Sequence, residues 1–99
     1  MKIFDKAAWQ IDNGVSKETV IRHFTLMFNW LNDKGLLNAD GKEILDIGIG
    51  EDASLNDRLV TDEGADFLNK YYDDLIIESE YNTSVEQRLI EEKYNEFKK

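Results

Sequence analysis

The alternation of apolar and polar residues predicts a mainly helical chain. After Ser16, a candidate N-cap, apolar residues recur every three or four positions for about five turns. Gly35 follows this pattern at a position suited to a left-handed residue. The stripe is unusually broad, so we expect a central helix contacted by several others. Its apolar members are Val20, Ile21, Phe24, Leu26, Met27, Phe28, Trp30 and Leu31.

Shorter patterns predict a helix near each end of the chain. Asp5 is placed to cap a first helix over residues 6–11, which Gly14 would end. Near the C-terminus, Ser84 and Gln87 have the spacing of a capping box. The apolar residues that follow at helical spacing are Val85, Leu89, Ile90, Tyr94 and Phe97.

Two ten-residue phrases in the middle of the chain match almost position by position. LLNADGKEIL begins at Leu36, and LVTDEGADFL begins at Leu59. Each reads as a helix opening, with an apolar pair, a capping Asn or Thr, and an acid in the first turn. The second helix is expected to run to about Ser79.

Gly41 and Gly64 occupy the same position in the two phrases. Glycine is costly inside a helix, so its presence needs a packing reason. We therefore predict that each glycine lies in the first turn of a helix, where a neighbour packs closely against it. Two copies are too few for a solenoid, so the repeat indicates architecture.

The segment 45–60 has two interpretations. Gly48 and Gly50 favour a short helix followed by a loop. Alternation over 45–49, a turn at 50–52 and a return strand would instead give a β-hairpin. We favour the helix and loop. The predicted fold is a compact single domain over 1–99, mainly α, with four to five helices and the small hairpin at 45–60 left open.

Composition excludes several classes of site. The 99 residues suit one domain, and the absence of cysteine excludes disulfides, thiolate metal sites and thiol nucleophiles. A single histidine excludes the common zinc ligand sets. No run has the apolar length of a signal peptide or membrane span, so we expect a cytoplasmic protein that contacts no membrane.

The net charge of −9 is concentrated in the middle of the chain. Residues 36–83 carry 13 acidic and 3 basic side chains, whereas the flanking segments are nearly neutral. This charge repels phosphate backbones and attracts basic surfaces, so nucleic-acid binding is not expected. The adjacent acidic pairs lack the spacing of a calcium loop, and we predict no metal site.

Catalytic chemistry has little support. His23 is the only side chain that ordinarily titrates near neutrality, and no Ser or Asp partner is identifiable by spacing. We interpret it as a partly buried or interface residue. Gly48 and Gly50 lack the third glycine of a dinucleotide fingerprint. We therefore expect a protein with no catalytic residue and no cofactor.

Aromatic residues beside acidic ones suit a protein interface. Tyr71 and Tyr72 are adjacent, so on a helix they point about 100° apart and one can face outward. We expect a non-enzymatic interaction or regulatory domain whose acidic, aromatic face binds a partner with a basic surface. The predicted partner-binding residues are Asp62, Glu63, Asp66, Tyr71 and Tyr72. A homodimer through residues 84–98 is a further expectation.

Two resemblances bear on these predictions. The phrases MKIFDKAAWQID, FNWLNDKGLL, GKEI and NKYYDD resemble a family of small uncharacterised bacterial proteins, which implies no activity. LVTDEGADFL resembles the winged-helix junction where the last wing strand enters a helix. That resemblance implies a hairpin at 45–60 and, as the alternative function, an acidic winged-helix-like transcription regulator. The candidate recognition helix, 39–46, departs from the pattern because it carries three acids and only one lysine.

Overall fold

Five helices and two short strands make up the domain. The structure is a computed structural model that describes residues 1–99. The elements in chain order are β1 (Ile3–Lys6), α1 (Ala7–Asp12), α2 (Lys17–Asp33), α3 (Ala39–Ile47), β2 (Ser54–Asn56), a single 3₁₀ turn (Asp57–Leu59), α4 (Asp62–Ser79) and α5 (Thr83–Phe97). The prediction of a compact, mainly α domain with four to five helices is confirmed.

Helix α2 is the centre of the core, as the breadth of its apolar stripe predicts. Seven of its residues are buried, and it packs against α1, α3 and α5. The longest helix, α4, pairs with α5 and contributes Phe67, Leu68 and Leu75 to the same core. Helix α3 lies at the edge of the domain, since Gly41 is its only buried residue.

The small sheet forms between segments that are far apart in the chain. Strand β1 pairs antiparallel with β2, with Asp5 opposite Leu55 and Lys6 opposite Ser54. Helix α3 ends at Gly48, where φ is 117°, and a loop follows, so the favoured interpretation of 45–60 is the correct one. No hairpin forms within 45–60, because β2 pairs with the N-terminal strand. The winged-helix alternative thus loses its structural basis.

Three of the predicted caps are present. Ser16 accepts from the backbone N–H of Thr19 at 3.2 Å, Asn38 from Gly41 at 3.0 Å, and Thr61 from Gly64 at 3.1 Å. These bonds satisfy N–H groups that have no partner inside the helix.

Two predicted caps are wrong. Asp5 lies in β1, and α1 begins after Lys6, which makes no side-chain capping bond. Asn82 caps α5 in place of Ser84, and accepts from the N–H groups of Ser84 and Val85 at 3.1 and 3.3 Å. Both Asn and Ser are good N-caps, so the choice depended on where the preceding turn placed the chain.

The two matched phrases pack against each other with a local two-fold relation. Asn38 N–H donates to the Leu59 carbonyl at 3.0 Å, and Thr61 N–H donates to the Leu36 carbonyl at 2.8 Å. Between these bonds, Leu37 and Val60 form an antiparallel bridge. Replacing each residue by its counterpart 23 positions away turns one of these two hydrogen bonds into the other, and the bridge joins two counterparts directly.

Gly41 and Gly64 make this close approach feasible. A Cβ on Gly41 would lie well within the van der Waals contact distance of the Leu59 carbonyl oxygen, and one on Gly64 would lie 3.0 Å from the Leu36 carbonyl oxygen. Both glycines are in the first turns of α3 and α4, so the prediction for them is confirmed. The repeat is an architectural device.

Candidate functional site

The predicted partner-binding residues divide between surface and core. Asp62, Glu63 and Asp66 are exposed on the first turns of α4. Tyr71 is half-buried, whereas Tyr72 is only 4% exposed and points into the core. Tyr72 therefore cannot contribute to a surface, and the remaining four residues keep their predicted role as a hypothesis.

Glu63 is already engaged within the domain. Its carboxylate is in contact with the Lys98 ammonium at the end of α5, and that hydrogen bond raises the pKa of Lys98. Tyr71 packs on Phe67 and Phe97, with ring centroids 5.5 and 6.3 Å apart. Asp62 and Asp66 make no ion pair within the domain, which leaves them the members most available to a partner.

The acidic surface extends well beyond the start of α4. Of the 13 acidic side chains in residues 36–83, all but Asp57 are exposed. Three make ion pairs: Glu51 with Lys17, Glu63 with Lys98, and Glu78 with Lys93. The other nine exposed acids have no cationic partner, so the middle of the chain presents a largely unneutralised negative surface.

A concave apolar feature lies within this acidic region. The C-terminal half of α3, the following loop and the start of β2 enclose a groove of about 280 Å³. Ile47 is 76% exposed at its rim, and Ile44 is 36% exposed one turn earlier on the same helix face. We call this feature the isoleucine groove; its apolar lining is Ile44, Ile47, Ile49, Ala53 and Leu59.

A chain of buried polar side chains crosses the core and joins four elements. The Tyr72 hydroxyl donates to Oδ2 of Asp5 at 2.6 Å and lies 2.8 Å from Nε2 of His23. The other ring nitrogen of His23, Nδ1, is in contact with Oε1 of Glu86. All four side chains are buried, and they come from β1, α4, α2 and α5. We call this set the buried polar chain.

The hydrogen-bond roles in this chain follow from proton counting. The single hydroxyl proton of Tyr72 points to Asp5, so its oxygen accepts from Nε2–H of His23. Nδ1 of His23 and Oε1 of Glu86 are in contact without the alignment of a regular hydrogen bond.

Tyr72 in the buried polar chain and Tyr81 beside it both have raised pKa values, which keeps their phenols neutral. Burial, followed by the charge and the hydrogen bond of Asp5, raises the pKa of Tyr72 well above its ordinary value. Tyr81 packs edge-on against the His23 ring, with centroids 5.0 Å apart, and burial followed by the charges of Asp5 and Glu86 raises its pKa. The Tyr81 hydroxyl lies near Asp5 without the geometry of a hydrogen bond.

The contacts of His23 were missed by sequence reasoning. It is completely buried, and it does have a carboxylate partner, Glu86, which lies 63 positions away in the chain. One signal was present: Glu86 falls on the apolar stripe of α5, one turn before Ile90, where an acid needs a buried partner. Asp5 and Tyr72 carry no comparable local signal.

The buried polar chain has no route to a substrate in this conformation. Three surface cavities are present, and none of them is lined by Asp5, His23, Tyr72 or Glu86. A general base must reach the proton that it abstracts, so this arrangement suits a structural role in holding four elements in register. The largest cavity, about 370 Å³ between α2 and α5, is lined mainly by uncharged polar side chains.

Comparisons of the chain with protein-family models, curated proteins and solved structures find no match. None of the helices has both the length and the apolar character needed to cross a membrane. No group of three or more His, Asp or Glu side chains is placed to hold a metal ion.

Proposed function

We propose that this chain is a protein-interaction domain that binds a partner with a basic surface. The observation that carries the proposal is the set of nine exposed, unpaired acidic side chains in residues 36–83. Such a surface lowers the stability of the isolated domain through self-repulsion and raises its association rate with basic partners. A regulatory role through that partner is the accompanying expectation.

The predicted face at the start of α4 is the first part of this surface to test. Asp62 and Asp66 lie one turn apart on the same face of α4 and are exposed. Tyr71 follows Asp66 by five residues, so it points about 140° away from that acid around the axis of α4. Its ring packs on Phe67 and is partly exposed, and it offers an aromatic contact outside the face formed by the two acids.

The test is salt-dependent capture with a matched pair of charge reversals. The immobilised domain is mixed with a cell lysate at low salt, and bound proteins are eluted with a salt gradient. We expect basic proteins that elute as salt rises, because screening weakens exposed charge pairs. The variant with Asp62→Lys and Asp66→Lys should lose them.

The control reverses two acids with the same spacing on α5, Glu92→Lys and Glu96→Lys, where the surrounding segment is neutral. This variant changes net charge equally and should retain the captured proteins. Elution that does not depend on salt contradicts the proposal, and so does equal capture by the α4 and α5 charge-reversal variants.

A homodimer through residues 84–98 remains a second proposal about association. The apolar side chains of α5 already contact the rest of the domain: Ile90 is fully buried, and Leu89, Tyr94 and Phe97 pack against the core. Size-exclusion chromatography with light scattering tests this proposal, and a mass equal to one chain at high concentration contradicts it.

A further inference from the structure

The isoleucine groove combines an exposed apolar side chain with a concave surface. Ile47 leaves three quarters of its side chain in solvent, and it stands at the rim of a concavity in which half of the ten lining residues are apolar. Ile77 on α4 is equally exposed, at 73%, but lines none of the cavities. A single exposed apolar residue is ordinary, whereas an apolar groove with an exposed rim marks a binding surface.

The charge that lines the groove is negative. Asp52 is the only charged residue that lines it. Glu43 and Asp46, which precede Ile44 and Ile47 in the chain, are exposed and make no ion pair. The groove therefore combines apolar side chains with negative charge, and that charge favours a bound segment that carries cations.

The size of the groove limits its occupant. About 280 Å³ lies at the lower end of the range for small-molecule sites, and an open groove of this volume suits a few side chains of a partner. A second copy of this chain, with a net charge of −9, would bring like charges together. Anionic lipid surfaces and nucleic acids meet the same repulsion.

We infer that the isoleucine groove binds a short segment of a partner protein in which an apolar side chain is flanked by Lys or Arg. The apolar side chain enters the groove between Ile44 and Ile47, and the flanking cations pair with Asp46 and Asp52. This inference rests on the proposed function, because it names a site and a sequence chemistry within the acidic surface already proposed to bind a basic partner.

The experiment uses a library of short random peptides displayed on phage, selected on the immobilised full chain. We expect enriched sequences that contain at least one large apolar residue next to two or more basic residues. A synthesised enriched peptide should bind the Ile47→Ser variant at least about tenfold more weakly, as expected when a buried aliphatic side chain is lost. Ile77→Ser is the matched control and should bind normally.

Charge is tested with a second matched pair. Asp52→Lys should weaken binding of the same peptide, and Asp73→Lys, an exposed and unpaired position on α4, should not. All four substituted positions are at the surface, and circular dichroism verifies that each variant folds.

The possible outcomes separate this inference from the proposed function. Basic peptides that bind wild type and Ile47→Ser equally, and lose affinity on reversal of Asp62 and Asp66, overturn the groove and leave the proposed function standing. Peptides whose binding requires Ile47 but that contain no Lys or Arg contradict the basic partner chemistry of both proposals. A selection that enriches no sequence overturns the groove as a peptide site.

Discussion

Replacing Tyr72 with phenylalanine isolates the contribution of the buried polar chain to stability. The substitution removes one oxygen atom and keeps the ring that packs in the core, so it creates almost no cavity. That oxygen serves two neighbours: it donates to Asp5 at 2.6 Å and lies 2.8 Å from Nε2 of His23. In Tyr72→Phe, both neighbours remain buried without it.

The expected cost follows from the partners that each neighbour keeps. Oδ1 of Asp5 still accepts from the Lys6 N–H at 2.8 Å and from Gln10 at 2.9 Å, so the carboxylate loses one of its three hydrogen bonds. His23 loses the only acceptor of its Nε2–H. A hydrogen bond to a charged group contributes roughly 1.5–3 kcal/mol and a buried donor left without an acceptor costs roughly 1–3 kcal/mol, so the two losses predict a destabilisation of about 2.5–6 kcal/mol. That is a large part of the roughly 5–15 kcal/mol that holds a typical domain together.

Urea denaturation followed by circular dichroism measures this cost at neutral pH. Tyr71→Phe is the control, because Tyr71 is the next residue in the chain and its hydroxyl makes no hydrogen bond to protein. We expect the control to change the free energy of unfolding by less than about 0.5 kcal/mol. If both substitutions cost the same, or if Tyr72→Phe costs less than about 1 kcal/mol, the Tyr72 hydroxyl does not link Asp5 and His23 as described.

Three further predictions concern other parts of the domain. Gly41→Ala should lower the free energy of unfolding by roughly 2–3 kcal/mol, because the new Cβ meets a backbone carbonyl, and Gly64→Ala should lower it by less. Thermal unfolding ranks the two variants, and a lower midpoint for Gly64→Ala contradicts the packing argument. Glu80 is exposed and has φ 51°, a conformation that glycine adopts more readily than residues with a Cβ. Glu80→Gly should therefore raise the free energy of unfolding in urea by about 0.5–1 kcal/mol, whereas Glu80→Ala, which keeps the Cβ, should not. Hydrogen bonds from Trp30, and then from Lys34, lower the pKa of Glu91 below 4.5. The ionised Glu91 therefore contributes its full stabilisation of the folded state above pH 4.5, and this contribution is lost as the pH falls through the lowered pKa. In Trp30→Phe, NMR titration should find the Glu91 pKa nearer 4.5, and an unchanged value contradicts this assignment.

Helices were predictable where the signal is local. The starts of α2, α3 and α4 depend on a capping side chain that bonds to an N–H three residues later, and the sequence contains that information. Strand β1 did not have such a signal, since four residues are too few for periodicity and its partner β2 lies about fifty positions away. Because β1 pairs with β2, Asp5 lies within a strand and does not cap α1 as its position in the sequence suggested.

The functional surfaces were predictable only in part. Charge is counted directly from the sequence, and exposed acids stay exposed because burying them unpaired is costly, so the acidic middle segment was foreseen. Adjacent tyrosines on a helix differ by about 100° in direction, but which of them faces inward depends on the packing of α4 against β1 and α5. The buried polar chain required four elements to be assembled before its members could meet.

The backbone bonds between the two matched phrases close a loop of chain that contains α3 and β2. Within this loop β2 contributes Leu55 to the buried core, whereas α3 contributes only a glycine. The outer face of α3 can therefore change in sequence while the path of the flanking helices stays fixed. Because Ile44 and Ile47 of the isoleucine groove are exposed on this face, selection for a new binding partner can alter them with little effect on the core.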